Sequence, residues 1–391
     1  MRILVLTSRF PYPLEKGDKL RIFCQMRELA KSHEVILCAI CEALPTAKNF
    51  KAVANAVQEV HCLQLPKWRS AMNLCRGFFN KLPFQVNYYF DGQVQKELLR
   101  IIDQTQPDHL YCQLPRTAEY IRQSQLPKTI DYQDAFSVIA KRWAANSVFP
   151  KNMLLSQESR RMQYYEQLIF DDFNHHTLIS EQDRALMPMP QKERIHIIPN
   201  GVDIDFFQPN PTVEKKYDIC FVGNMGYPPN VNAAQFLVKK IMPLLMPEYP
   251  ELKILIAGAR PSKEVQALAS KQVVVTGWLE DIRLAYAESH IFVAPIFMGA
   301  GLQNKVLESM AMGTPRIVTS QVNNAIGGVE GTTIMVADTA EAFAAKIKML
   351  LKSESLKTKL AVEGLNFVKK QFSWQETSNK LARIMQSPLT K

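Results

Sequence analysis

Glycine is nearly missing from the first half of this 391-residue chain: Gly17, Gly77 and Gly92 are the only three before residue 201, and twelve more follow. Backbone that must turn through positive φ or lie against a ligand is usually built with glycine, so such places concentrate in the second half. No run reaches the roughly 18 apolar residues that a membrane-spanning helix needs, which excludes an ordinary spanning helix. The apolar start ILVL is too short for the core of a signal peptide and is followed at once by Arg9 and Pro11. It reads as a strand, and the location as cytoplasmic. Cysteines number seven, an odd count without framework spacing, which excludes a disulfide scaffold. Cys38 and Cys41 form a CxxC at the end of an apolar strand, with no second pair or suitably spaced His, and read as buried thiols. Acidic residues are absent from 60 to 90, where Lys67, Arg69, Arg76 and Lys81 are interleaved with Trp68, Phe78, Phe79, Phe84, Tyr88, Tyr89 and Phe90. That mixture suits an anionic membrane surface.

Apolar residues make up 47% and charged residues 21%, which excludes a disordered chain and leaves enough apolar material for two cores. The net charge of +10 divides as 26 − 20 = +6 over residues 1–200 and 21 − 17 = +4 beyond them. The surplus is therefore spread over the surface and favours anionic partners such as nucleotide phosphates. No recognised nucleic-acid motif accompanies it.

Strand-length apolar runs alternate with helical patterns along the whole chain, the signature of parallel α/β architecture. In the first half strands are predicted at Arg2–Thr7, Glu34–Ile40, Val60–Leu65, Asp108–Cys112, Lys128–Asp131 and Thr177–Ser180. The Pro- and Asn-rich stretch IIPNGVDIDFFQPNP (Ile197 to Pro211) reads as a linker. Five further strands follow: Asp218–Val222, Lys253–Ala257, Val273–Thr276, Ile291–Ala294 and Arg316–Thr319. Each meets a turn at its carboxyl end, the edge where an open parallel sheet binds ligands. The expected organisation is two Rossmann-like domains facing across a cleft: 1–198, a linker 199–215, then 216–372, with a last helix (373–391) packing back on the first domain.

The most informative string is PIFMGAGLQNKVLESMAMGTP, residues 295–315. Gly299 and Gly301 permit a tight turn at a strand end, and a helix predicted over Leu302–Met312 follows. Its first-turn N–H groups would make an anion site, with Lys305 supplying charge for a diphosphate. Glu308, three residues on and on the same face, could accept hydrogen bonds from vicinal ribose hydroxyls, while Val306, Leu307, Met310 and Ala311 would face the sheet. An ordinary α/β helix carrying a Lys and Glu pair is the plain alternative.

Together with FPYPLEKGDKLR (Phe10 to Arg21), IDYQDAFS (Ile130 to Ser137), IIPNGVD, FVGNMGYPPNVNA (Phe221 to Ala233) and VTGWLEDIR (Val275 to Arg283), this string resembles the GT-B glycosyltransferases of the family 4, or group 1, type. The likeness to their exopolysaccharide-associated sugar transferases runs over essentially the whole chain. It implies a GT-B fold and transfer of a sugar from a nucleotide diphosphate sugar, UDP- or GDP-linked, to a saccharide or lipid-linked acceptor. It also implies retention of configuration and no metal or other cofactor. Two departures stand out: counting back eight from Glu308, where the family commonly has Glu, gives Ala300, and the usual Arg and Lys after the FVG strand are absent. Lys305 is therefore expected to carry much of the diphosphate charge, with Gln303 and Asn304 near the sugar.

The donor set implied comprises Gly17, Gly223, Asn224, Arg260, Trp278, Leu279, Gly299, Gly301, Leu302, Gln303, Asn304, Lys305 and Glu308. Asp18, Lys19, Arg21, Asp131 and Asp134 are expected to face the acceptor, with Asp134 able to orient its hydroxyl or act as a base. A helix N-cap is the structural alternative for Asp134. His175 and His176 are assigned to packing. Two other functions stay open: a GT-B isomerase of the nucleotide sugar itself, and a non-catalytic nucleotide-sugar or glycan-binding protein.

Overall fold

The structure is a computed structural model that describes residues 1–145, 147–298 and 302–388. The chain divides into two compact units, one of residues 1–199 together with Thr377 onward, the other of Asn200–Glu376.

The first unit is built on a seven-stranded sheet in the order β3-β2-β1-β4-β5-β6-β7. Its strands are β1 (Arg2–Thr7), β2 (Glu34–Cys41), β3 (Glu59–Gln64), β4 (His109–Gln113), β5 (Lys128–Gln133), β6 (His175–Leu178) and β7 (Ile195–Ile197). All six pairings are parallel. In β1 and β2 every residue after the first is buried, so both faces of the sheet are covered and alternation gives way to the continuous apolar runs RILVLT and EVILCAIC. The short β7, which ends where the Pro- and Asn-rich stretch begins, was not predicted, because three residues carry no periodicity.

The second unit repeats the scheme with six strands in the order β10-β9-β8-β11-β12-β13. These are β8 (Tyr217–Val222), β9 (Ile254–Ala257), β10 (Val273–Val275), β11 (Ser289–Ala294), β12 (Arg316–Val318) and β13 (Met335–Val336), again parallel throughout. Each unit has its own apolar core. The last helix, Trp374–Gln386, contributes its residues from Thr377 on to the first unit, where Lys380 donates to the Ile197 carbonyl at 2.9 Å.

In both sheets the chain winds one way from the central strand and then the other, which places a switch point between β1 and β4 and another between β8 and β11. Loops diverge there, and open α/β sheets bind ligands in the gap.

Candidate functional site

At the second switch point the helix Asn304–Ala311 follows β11, and Val306, Leu307, Met310 and Ala311 are buried as their spacing predicts. It starts two residues later than expected, which makes Lys305 its second residue. Gln303 occupies the N-cap, and its side chain makes no capping hydrogen bond to the helix's first N–H groups. Gly313, with φ of +63°, stops the helix one residue past the Met312 cap.

Lys305 points back over the end of β8. Its Nζ donates to Asn230 Oδ1 at 2.5 Å and stands 5.3 Å from the centre of the Phe221 ring. Asn230 is held in turn by donating Nδ2 to the Asn224 carbonyl at 2.9 Å. A Cβ on Gly223 would lie 2.8 Å from Asn230 Nδ2 and 3.2 Å from Lys305 Nζ, so glycine is what lets both side chains reach the strand end. Burial pulls the Lys305 amine down to about 8, partly opposed by Glu308. Among the described residues its hydrogen-bond partner is a neutral amide oxygen, and an ammonium so placed gains from a bound anion.

Glu308, one turn along, accepts a 2.7 Å hydrogen bond on Oε2 from the Tyr286 hydroxyl. Burial raises the Glu308 carboxyl above its ordinary value, while Tyr286 and Lys305 act in the opposite direction. Tyr286 is itself fully buried, and its phenol is pushed well up by burial and then by Glu308. The tyrosine thus fixes one carboxylate oxygen and leaves the other to accept.

The turns after β8, β9 and β10 adjoin this group. Gly223 N donates to the Ala257 carbonyl and Gly258 N to the Gly277 carbonyl, both at 3.0 Å. Asn224 is exposed, its Oδ1 taking the Gly226 N–H at 3.0 Å. Arg260 is exposed with φ of +54°, and Trp278 is 77% exposed. Leu279 packs against the second unit's core. Leu302, Gln303 and Asn304 are half-buried, and Asn304 Oδ1 is buried without a partner among the described residues. Gly299, Ala300 and Gly301 lie outside the described residues.

The first unit corrects part of the sequence reading. Arg21 and Asp131 were expected to face an acceptor; they are 1% and 0% exposed and pair in the interior, Nε to Oδ2 at 2.7 Å and Nη2 to Oδ1 at 3.2 Å. Thr177 and Tyr111 also donate to that carboxylate, at 3.0 and 3.2 Å. Neither charge has surface with which to touch a ligand. Asp18 is drawn to Arg9 at 3.3 Å, and its carbonyl accepts from Gln113 at 2.7 Å. Lys19 is half-buried at the start of the helix Gly17–Leu29, and Gly17 opens that helix with free space where a side chain would go.

Asp134 is not an N-cap, since the helix begins at Phe136 and Ala135 precedes it. Burial, then Asp183, raises its carboxyl to about 6, against the lowering pull of Arg21. His175 and His176 are buried in β6, His176 stacked 4.0 Å from Phe170. Cys38 and Cys41 are buried thiols. Among the described residues no group of three or more His, Cys, Asp or Glu could hold a metal ion. The sequence reading missed Asn230, Phe221 and Tyr286. The first two lie inside the FVGNMGYPPNVNA string; Tyr286 had no local signal.

Residues 216–353 match the family described as Glycosyl transferases group 1. Over its length the chain is 22% identical to a 44.6 kDa protein of the cps region of Klebsiella pneumoniae, covering 95% of this chain and 96% of that one. Among solved structures it is similar to Anabaena HepE in complex with UDP (TM-score 0.70, 12% identity, 99% of this chain and 100% of that one). Sucrose-phosphate synthase from Thermosynechococcus elongatus superimposes with a TM-score of 0.69 at 14% identity, covering 99% and 98%. A Staphylococcus aureus TarM mutant, solved with Fondaparinux, alpha-GlcNAc-glycerol and UDP, gives 0.67 at 9%, covering 99% and 100%. The group 1 match over residues 216–353 makes the second unit a group 1 glycosyltransferase domain, and the likeness of both units to solved glycosyltransferases gives the chain the GT-B fold of a transferase.

Proposed function

We propose that the protein moves a sugar from a UDP- or GDP-linked donor to a saccharide or lipid-linked saccharide acceptor in polysaccharide or glycolipid synthesis, with retention and without a metal. One observation carries this reading: a half-buried, anion-seeking Lys305 at the β8/β11 switch point, one turn from a carboxylate braced by Tyr286. The ammonium and the first N–H groups of the helix would hold the diphosphate, and the open Glu308 oxygen would take the ribose hydroxyls. In retaining transfer the departing diphosphate oxygen can accept the acceptor's proton, so these residues act by placing the donor and stabilising the leaving charge. Asp134, with a carboxyl near 6, is ionised at neutral pH and suited to orienting an acceptor hydroxyl. The UDP in the HepE and TarM structures supports the donor class, and the cps-region relative supports a polysaccharide setting.

Calorimetry with UDP and GDP, followed by proton NMR of UDP- and GDP-sugars with and without saccharide acceptors, tests the reading. Glu308→Gln keeps an acceptor for Tyr286 but loses the charge, and should weaken nucleotide binding roughly 10-fold, the worth of a charge-assisted hydrogen bond. No binding of either nucleotide at millimolar concentration rejects the site. Donor conversion without acceptor would make the protein an isomerase, and binding without turnover a binding protein.

The same reading places the enzyme at an anionic membrane. Trp68 and Phe79 are 63% and 91% exposed, on the helix Lys67–Arg76 and the turn Gly77–Phe79. The helix Lys151–Leu168 packs against this segment: Arg161 donates to the Gly77 and Leu82 carbonyls, and Glu158 accepts from Phe84 N and Gln85 N. The start of that helix and the residues before it expose Trp143, Val148, Phe149 and Met153 beside Lys141, Arg142 and Lys151, and residues 135–157 contain no acid. Apolar side chains among basic residues suit an interface, each basic residue contributing about 1 kcal/mol at an anionic surface. The protein should float with phosphatidylserine-containing vesicles, and Trp68→Ser with Phe79→Ser should cut the bound fraction about 10-fold. Equal flotation with purely zwitterionic vesicles would overturn the assignment.

A further inference from the structure

The first unit holds a pocket of about 470 Å³ where the carboxyl ends of β1 and β2 meet the start of the helix Gly17–Leu29. We propose that it is a subsite for a sugar bearing an anionic group, a uronate carboxylate or a glycosyl phosphate, on the acceptor. The identification as an acceptor subsite rests on the transferase reading; the recognition of an anionic sugar does not.

Its lining carries four cations, Arg9, Lys16, Lys19 and Lys67, against one carboxylate, Glu42. Glu42 is already engaged: Tyr88 donates to it at 2.9 Å and Lys67 stands 3.8 Å away. Arg9 is shared between Asp18 at 3.3 Å and the Tyr89 hydroxyl, also at 3.3 Å. Lys16 and Lys19 have no carboxylate within ion-pair distance among the described residues, so the wall they form has positive charge to spare. Ser8, also in the wall, is 2% exposed, and its hydroxyl is buried without a partner. An orphan hydroxyl of that kind costs free energy unless a ligand or water satisfies it.

The helix adds to this. Lys16 is its N-cap and makes no side-chain cap, and a Cβ on Gly17 would meet nothing within 4 Å. The positive end of a 13-residue helix therefore opens where two unpaired lysines gather. Tyr12, Phe10 and Tyr89 complete the lining with aromatic surface, which suits the C–H faces of a pyranose rather than a bare inorganic ion. The volume lies in the range of small-ligand sites.

Binding to the full chain is followed by saturation-transfer NMR with three probes, methyl glucuronide, glucose 1-phosphate and methyl glucoside, and UDP affinity is measured in parallel. Methyl glucuronide or glucose 1-phosphate should bind at least 5-fold more tightly than the neutral glucoside, and whichever does so names the anionic group. Lys16→Ala with Lys19→Ala should remove that preference while leaving UDP affinity and the melting temperature unchanged. Equal binding of all three probes, binding of none while UDP binds, or a preference that survives the double variant would overturn the proposal. Loss of UDP binding in the unaltered protein would fall on the donor site alone, since the sugar probes report on the first unit.

Discussion

Replacing Lys305 by Ala is expected to lower kcat/KM for the nucleotide sugar by roughly 10²- to 10³-fold, the scale seen when one preorganised charge-stabilising donor is removed. The side chain is aimed by Asn230 and Phe221 rather than by a carboxylate partner, and Glu308 is a turn away and already bonded to Tyr286. Its pH dependence is a sharper signature. Only the ammonium form attracts a diphosphate, and in the free site burial holds the amine at about 8. The apparent Kd for UDP should therefore be nearly flat up to pH 7, about double by pH 8 and rise above it, approaching 10-fold per unit. A lysine at an ordinary value would show no such rise below pH 10. Titration calorimetry from pH 7 to 9.5 distinguishes the two, and a flat Kd across that range would remove Lys305 from the diphosphate site.

Gly258→Ala should cost about 4 kcal/mol or more and leave little folded protein, an effect at the extreme for a single substitution. Its φ is +136°, and a Cβ there would lie 1.8 Å from the Gly223 carbonyl oxygen and 2.8 Å from its carbon. The obstacle is backbone and cannot swing aside. Gly223 is tied to Ala257, Gly258 to Gly277, and Lys305 reaches over Gly223, so displacement would pass into the proposed nucleotide site. Gly277→Ala is the control. Its φ of +74° is also unfavourable, but nothing lies within 4 Å of a Cβ, so it should cost only the 1 to 2 kcal/mol of left-handed strain. Urea unfolding of the two variants measures the difference, and equal costs would show that close approach is not why Gly258 is needed.

Much of the candidate site in the second unit was legible because its signals are local. Five strand ends in the second half were readable as apolar runs stopped by glycine or a turn. Lys305 and Glu308 share a helix face by a spacing of three, which requires no knowledge of the rest of the chain. Residues that complete the site come from elsewhere: Tyr286 is 22 positions from Glu308, and Asn230 is 75 from Lys305. No periodicity encodes such a meeting, because it depends on which strands become neighbours. Strands as short as β7 and β13 failed for the opposite reason, since two or three residues are too few to show a pattern.

The first unit shows the same limit more severely. Arg21 and Asp131 each sit near a strand end or helix start, positions that read as ligand-facing, yet they neutralise each other in the interior across 110 residues of chain. A charge at an element's edge is locally the same whether it meets water, a substrate or a buried counter-charge.

Alternation of apolar runs, glycine placement and one helix of eight residues were enough to determine, from the sequence alone, two parallel α/β sheets and the face that carries Lys305 and Glu308, since these rest on near-neighbour sterics and helix geometry. Which polar residues brace that face, which charges are withdrawn into the core, and where Lys16 and Lys19 are left unpaired beside an orphan Ser8 hydroxyl were decided only by tertiary structure. Pairing and desolvation act between atoms that the chain order keeps far apart.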